Sequence, residues 1–399
     1  MRPCIHFTPQ KGWINDPNGL ILVGDTYHVF FQHYPDDTKW GPMHWGHATS
    51  KDLIHFEEQE IALFPTEEEY IFSGSAILDV DNKSGLGVDE KPAILLFYTS
   101  HNPKTGEQMQ SLAYSTDYLH FEKYRNNPIV KNEKNAEDYK PDYRDPKVFC
   151  NSILGGFSMA LAAGDHIEFL HSDNLIDWTP TGTFCPAGIG YAGLCECPDY
   201  IEMQYQGQTV SVLTMSMIFK EEGKAKETHI MQYFIGSFDG ASFQSKQPFD
   251  KNMRLDFGED HYAAVSFSGT ETPLILGWGE DWNKARENNA TTYFGKMTLA
   301  RKLELRECEG KLYLSQQPVV TVETGAENVW KKEIHLGTGE SIRISPQLAI
   351  KNSGKNLLLN DIEVPRIHAE AACNITVICD CGYYEIFADD GTISFSQSI

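Results

Sequence analysis

No stretch of the chain approaches the run of about 18 apolar residues that a membrane-spanning helix needs. The opening Met1-Arg2-Pro3-Cys4-Ile5-His6 lacks the apolar centre and cleavage signal of a secretory peptide, so the sequence is expected to stay in the cytoplasm. Basic charge is scarce. Against 56 Asp and Glu stand 33 Lys and Arg, a formal net charge of -23 that repels phosphate backbones and anionic lipid, so no nucleic acid or membrane partner is expected. The nine cysteines are odd in number and scattered, which argues against a disulfide framework and points to reduced thiols. Two Cys-x-Cys pairs, Cys195/Cys197 and Cys379/Cys381, have neither the two-residue spacer nor the neighbouring His of structural zinc sites. They read as buried strand thiols, and no metal is expected.

Amphipathic helical periodicity is also sparse. Short runs rich in Val, Ile, Phe and Tyr dominate instead, such as Leu20 to Val23, Tyr27 to His33, Ala93 to Thr99 and Ile167 to Leu170, separated by Gly, Asn and Asp clusters. The chain is therefore expected to be all-β. One phrase recurs: Ser50-Lys51-Asp52-Leu53-Ile54-His55-Phe56, Ser115-Thr116-Asp117-Tyr118-Leu119-His120-Phe121 and Ser172-Asp173-Asn174-Leu175-Ile176-Asp177-Trp178. A weaker copy is Ser237-Phe238-Asp239-Gly240-Ala241-Ser242-Phe243. The period of about sixty residues fits one four-stranded propeller blade, with a polar turn and an aromatic packing between blades. The stretch from about Asp256 to Leu305 leaves room for one more unit, giving five blades. After about residue 310 the phrase disappears and alternating strands suggest a small, shortened β-sandwich. A chain of 399 residues exceeds a single core, and the expected division is a propeller over 1–308 and a sandwich over 309–399.

Three short motifs fix a carboxylate beside a turn or a proline: Asn15-Asp16-Pro17-Asn18-Gly19, Arg144-Asp145-Pro146 and Glu196-Cys197-Pro198-Asp199. By the repeat they fall on separate units, and in a propeller the innermost strands of all blades face one axial channel. Convergence there would supply the carboxylate pair of glycoside hydrolysis, roughly 5 to 5.5 Å apart where one of them attacks the sugar.

Together these motifs resemble the signature of glycoside hydrolase family 32, the β-fructofuranosidases that cleave sucrose, inulin and levan. His6-Phe7-Thr8-Pro9, Phe31-Gln32, Trp45-Gly46-His47, Phe72-Ser73-Gly74-Ser75 and Phe97-Tyr98-Thr99 line up in the same order. The resemblance implies that Asp16 is the nucleophile, Glu196 the acid/base, and Asp145 the carboxylate that binds fructose hydroxyls and stabilises an oxocarbenium-like transition state. It also implies that Asn15, Gln32, Trp40, Phe72, Ser73 and Arg144 surround a terminal fructose, which Trp278 also reaches. His47 is expected to brace the wall. No cofactor is implied. The expected reaction is retaining release of terminal β-D-fructofuranose from sucrose, short fructo-oligosaccharides or fructans. An inverting, arabinanase-like furanosidase and a noncatalytic fructoside-binding propeller are the competing readings. Homo-oligomerisation stays open.

Overall fold

The computed structural model describes residues 2–399 apart from 187–192, 221–225, 249, 251, 322–327, 361 and 370. Five antiparallel four-stranded units follow one another. The first contains β1 (Gly12–Val23), β2 (Thr26–Tyr34), β3 (His44–Ser50) and β4 (Phe56–Glu58). The second contains β5 (Tyr70–Asp79), β6 (Ala93–His101), β7 (Gln108–Ser115) and β8 (Glu122–Lys123). The third contains β9 (Tyr143–Cys150), β10 (Phe157–Ala163), β11 (His166–Ser172) and β12 (Thr179–Phe184), and the fourth β13 (Leu194–Tyr205), β14 (Gln208–Phe219), β15 (Thr228–Phe238) and β16 (Phe243–Ser245). In the fifth, β17 (Tyr262–Ser266) and β18 (Leu274–Trp278) are followed by a short helix α1 (Trp282–Arg286) and by β19 (Tyr293–Phe294), which leaves to pair in parallel with β1. The unit closes with β20 (Arg301–Cys308) and β21 (Lys311–Pro318). The first strand of each unit packs on that of the next, and β17 packs on both β13 and β1, so the five inner strands form a closed ring. This is a five-bladed β-propeller.

The repeated phrase is the turn between the third and fourth strands of a blade. Leu53, Tyr118 and Leu175 adopt left-handed backbone, with φ of 63, 68 and 66°. Side-chain oxygens hold them there: the hydroxyls of Ser50, Ser115 and Ser172 accept from the N–H of Leu53, Tyr118 and Leu175 at 2.8, 2.9 and 2.9 Å. The closing aromatics then cross to the preceding blade: Phe121 meets Phe30, Trp178 meets Phe97 and Phe243 meets Phe184. In the fifth blade the corresponding connection is the tight hairpin turn Glu309-Gly310, both at positive φ, which needs no such phrase. The expected boundary at 308/309 falls inside this hairpin. Its register runs from Arg301 opposite Pro318 to Cys308 opposite Lys311, so the propeller extends to Pro318.

The remainder is a β-sandwich. One sheet has the order β22 (Val329–Leu336), β27 (Cys373–Asp380), β28 (Tyr383–Ala388), β29 (Ile393–Ser398), and the other β23 (Ser341–Ser345), β24 (Leu348–Asn352), β25 (Asn356–Leu359), β26 (Ile362–Pro365). Alternating residues such as Ile350, Leu357, Ile375, Val377, Ile386 and Phe395 fill its core. A buried ionic network joins it to the propeller. Arg301 donates to Glu385 at 2.7 Å and to Asp256 at 3.0 Å, and His6 bridges Glu385 (3.0 Å) and Asp380 (2.9 Å). Burial works against ionisation of Glu385, but Arg301 and His6 outweigh it and hold the carboxyl at about 2. Arg301→Met strands two buried carboxylates, and denaturant titration is expected to show a loss of about 3–5 kcal/mol. In the wild type the Glu385 contribution persists above its ordinary carboxylate range and is lost as pH falls through about 2.

Candidate active site

All five inner strands break register at the same level of the ring. The shifts lie between Ile14 and Pro17 in β1, Phe72 and Gly74 in β5, Arg144 and Lys147 in β9, Glu196 and Asp199 in β13, and Tyr262 and Val265 in β17. The first three bulges turn Asp16, Ser73 and Asp145 out of the ladder and toward the axis, and Glu196 and Tyr262 flank those of β13 and β17. Pro146 and Pro198 sit in these bulges and Pro17 closes that of β1, positions where no N–H is required and the inner strand is an edge. Asp145, Cys197 and Ala263 carry φ of 64, 44 and 51°, strained values for residues with a Cβ, imposed by the bulged geometry.

The bulges assemble a cavity of about 280 Å³ lined by Asn15, Asp16, Gln32, Trp40, Phe72, Ser73, Gln108, Asp142, Arg144, Asp145, Glu196 and Trp282. Asp16 accepts from Ser73 Oγ at 2.7 Å and from Asn15 Nδ2 at 3.0 Å, while Trp13 Nε1 fixes Asn15 at 2.7 Å. Asp145 Oδ2 accepts from the Cys197 N–H at 2.9 Å, and its own N–H donates to Thr99 Oγ1 at 2.9 Å. The Cys197 thiol lies 3.6 Å from both Asp16 and Asp145. Glu196 is gripped at both oxygens, by Arg144 Nη2 and by Tyr262 Oη, each at 2.8 Å. Arg144 also donates to Asp142 at 2.6 Å and stands 3.8 Å from Asp145.

Burial raises both aspartates. For Asp16 the bonds from Ser73 and Asn15 oppose it; for Asp145 burial and the charge of Glu196 prevail over Arg144 and push the carboxyl to about 7. A carboxyl raised on folding contributes stability below its ordinary pKa and loses it as pH rises through the folded value. Asp145→Asn is therefore expected to stabilise the protein by up to about 4 kcal/mol above pH 8, the gain vanishing toward pH 4. Thermal melts of both proteins across that range check it.

Seven of the sequence-derived residues around the three carboxylates were expected at a sugar, and the cavity brings six of them together. Trp278 is the exception. It is fully buried, lies 6.1 Å from the Trp13 ring and 5.0 Å from that of Trp282, and does not line the cavity. Its place on the wall is taken by Trp282, at the start of α1 behind the N-cap Asp281. Gln108, Asp142 and the Glu196 partner Tyr262 were also unassigned by sequence. His47 is buried, stacked 4.3 Å from Phe30 and bonded to His28, and burial lowers it to about 3, so it packs the first blade. One step further along the same inner strands the axis is closed. Lys147 Nζ pairs with Asp199 at 2.7 Å and donates to Ser266 O and Oγ at 2.9 Å, leaving about 10 Å³ beneath the carboxylates.

The model of the glycosyl hydrolases family 32 N-terminal domain matches residues 6–318, the propeller to its last strand. The chain belongs to glycoside hydrolase family 32. Within this family it is similar to the levanase of Bacillus subtilis, 37% identical over 337 residues, which cover 83% of the chain and 49% of that protein. It is also similar to an invertase of Schizosaccharomyces pombe, 33% identical over 403 residues, covering 96% of the chain and 65% of the invertase. The chain thus spans 49% and 65% of the length of these two curated relatives. Among solved structures, an exo-inulinase from Aspergillus awamori superposes with a TM-score of 0.83 at 26% identity, covering 100% of this chain and 92% of that one. A fructofuranosidase from Schwanniomyces occidentalis complexed with fructose gives 0.82 at 28% identity, covering 100% and 92%.

Proposed function

We propose that the protein is a retaining β-fructofuranosidase that removes terminal non-reducing β-D-fructofuranose from sucrose, short fructo-oligosaccharides or fructans. The observation that carries this reading is the cavity itself: three carboxylates from three different blades meet in a dead end. A channel closed by Lys147 and Asp199 admits a chain terminus and not the middle of a polymer, which favours exo-action. Asp16 attacks the anomeric carbon while Glu196 protonates the leaving oxygen, forming a fructosyl ester. Glu196, now ionised, takes a proton from water as it attacks, and the second inversion restores configuration. Asp145 receives sugar hydroxyls and faces the positive charge that develops at the ring. Trp40, Phe72 and Trp282 offer apolar faces to the sugar, and Asn15, Gln32 and Ser73 offer hydrogen bonds.

Four carboxylates line the cavity against a single guanidinium, and Arg144 is already engaged by Asp142, Asp145 and Glu196. An uncharged sugar suits this field better than a sugar phosphate. The names of the relatives, levanase, invertase and exo-inulinase, support the fructoside class. Exposed free thiols at Cys4, Cys150 and Cys185 support a reducing, cytoplasmic setting. The test is fructose release from sucrose, an inulin-type oligosaccharide and levan, with the anomer of the first-formed product read by NMR. Release as the β-anomer is the expected result. Release of the α-anomer would indicate inversion, and binding without turnover would indicate a sugar-binding propeller.

A further inference from the structure

Cys379 and Cys381 are two residues apart, yet they do not face the same way. Cys379 lies on β27 in the sandwich core, whereas Cys381 is carried out of the strand by the two-residue turn Cys381-Gly382, with φ of 51 and 86°. The turn directs Cys381 toward the N-terminal segment. There the sulfurs of Cys4 and Cys381 and a carboxylate oxygen of Asp380 all lie within 4.8 Å of one another. The three come from opposite sides of the junction between propeller and sandwich.

Asp380 is fixed in place before any ion arrives. Its Oδ2 accepts from the N–H groups of Cys4, Ile5 and His6 at 2.9, 2.9 and 3.3 Å and from His6 Nδ1 at 2.9 Å. Oδ1 accepts from the Cys4 N–H at 3.0 Å and retains acceptor capacity, and the Cys381 thiol also hydrogen-bonds to this carboxylate. Two neighbouring cations among the described residues are engaged elsewhere. Arg2 donates to Thr8, Pro9 and Gln10 and lies over the Tyr293 ring, while Lys296 pairs with Glu280. Cys4 is exposed, and Asp380 and Cys381 border a cavity of about 250 Å³ with room for water.

We propose that Cys4, Cys381 and Asp380 form a three-ligand site for a thiophilic divalent cation of the zinc class, with water as the fourth ligand. Two thiolates and a carboxylate neutralise the ion and exceed it by one charge, and the thiols release their two protons on binding. The bound ion ties the N-terminal segment to the β27–β28 hairpin. The site shares no residue with the catalytic cavity and does not depend on the proposed activity.

The full chain, reduced and freed of metal by a chelator, is titrated with Cd²⁺ while the thiolate-to-cadmium charge-transfer absorption is followed. The expected result is saturation at one equivalent, displacement by Zn²⁺, and a rise in melting temperature with either ion. Cys4→Ser and Cys381→Ser should each abolish the stoichiometric band and the thermal shift. Replacing the exposed Cys150 and Cys185 with Ser should leave both unchanged, which separates this site from casual thiol binding. Absence of the band in the wild type, or its survival in either the Cys4 or the Cys381 variant, overturns the proposal.

Discussion

Asp16→Asn is expected to lower turnover of sucrose by roughly three to six orders of magnitude with the fold intact. The size follows from what the residue does: an amide cannot attack the anomeric carbon, and without the fructosyl ester both chemical steps lose their route. The fold should survive because asparagine is isosteric and keeps an oxygen able to accept from Ser73 and Asn15. It also removes a buried charge, one that burial raises and Glu196 raises further. The variant should therefore melt no lower than the wild type at neutral pH, and any gain should fade as pH falls toward the ordinary carboxylate range, where the wild-type aspartate is protonated. Measuring turnover together with the melt separates lost chemistry from lost structure. Normal turnover in a folded variant would remove Asp16 from the nucleophile role.

The fold was legible in the sequence where it depended on local rules. Blade turns repeat because each needs a left-handed residue with a hydroxyl and a carboxylate or amide to hold it, so Ser50, Asp52 and their counterparts print a period on the chain. The fifth blade closes with a tight hairpin that leaves no such mark, and the expected boundary consequently fell ten residues before Pro318. The candidate site was legible through its prolines. Asp-Pro and Cys-Pro pairs in otherwise regular strand sequence signal a bulge, and a bulge turns Asp16 and Asp145 to the axis and adjoins Glu196. Trp278 and Trp282 were not separable in this way, since both are aromatic, four residues apart, and divided by the strand-to-helix turn at Glu280-Asp281. Which one faces the cavity is decided by α1 and its packing on Trp13. The axial plug was equally hidden: Lys147 and Asp199 are distant in sequence, and each alone reads as an ordinary surface charge.

Glu196→Gln should separate the two halves of the reaction. Glutamine fits the same grip: its carbonyl oxygen accepts from Arg144 Nη2, and its amide can donate to the Tyr262 oxygen, so position is retained and proton exchange is lost. With sucrose, whose leaving oxygen must be protonated, the loss is expected to be roughly 10²- to 10⁴-fold. An aryl β-fructofuranoside with an acidic phenol leaves without help, so its first step should be nearly unimpaired. Hydrolysis of the fructosyl ester then becomes limiting, because no base activates the water. The expected trace is a burst of phenol equal to the enzyme, followed by slow turnover that azide, which needs no base, accelerates. Equal losses for both substrates, with no burst and no rescue, would place the proton donor elsewhere and leave Glu196 as a partner that only orients Arg144.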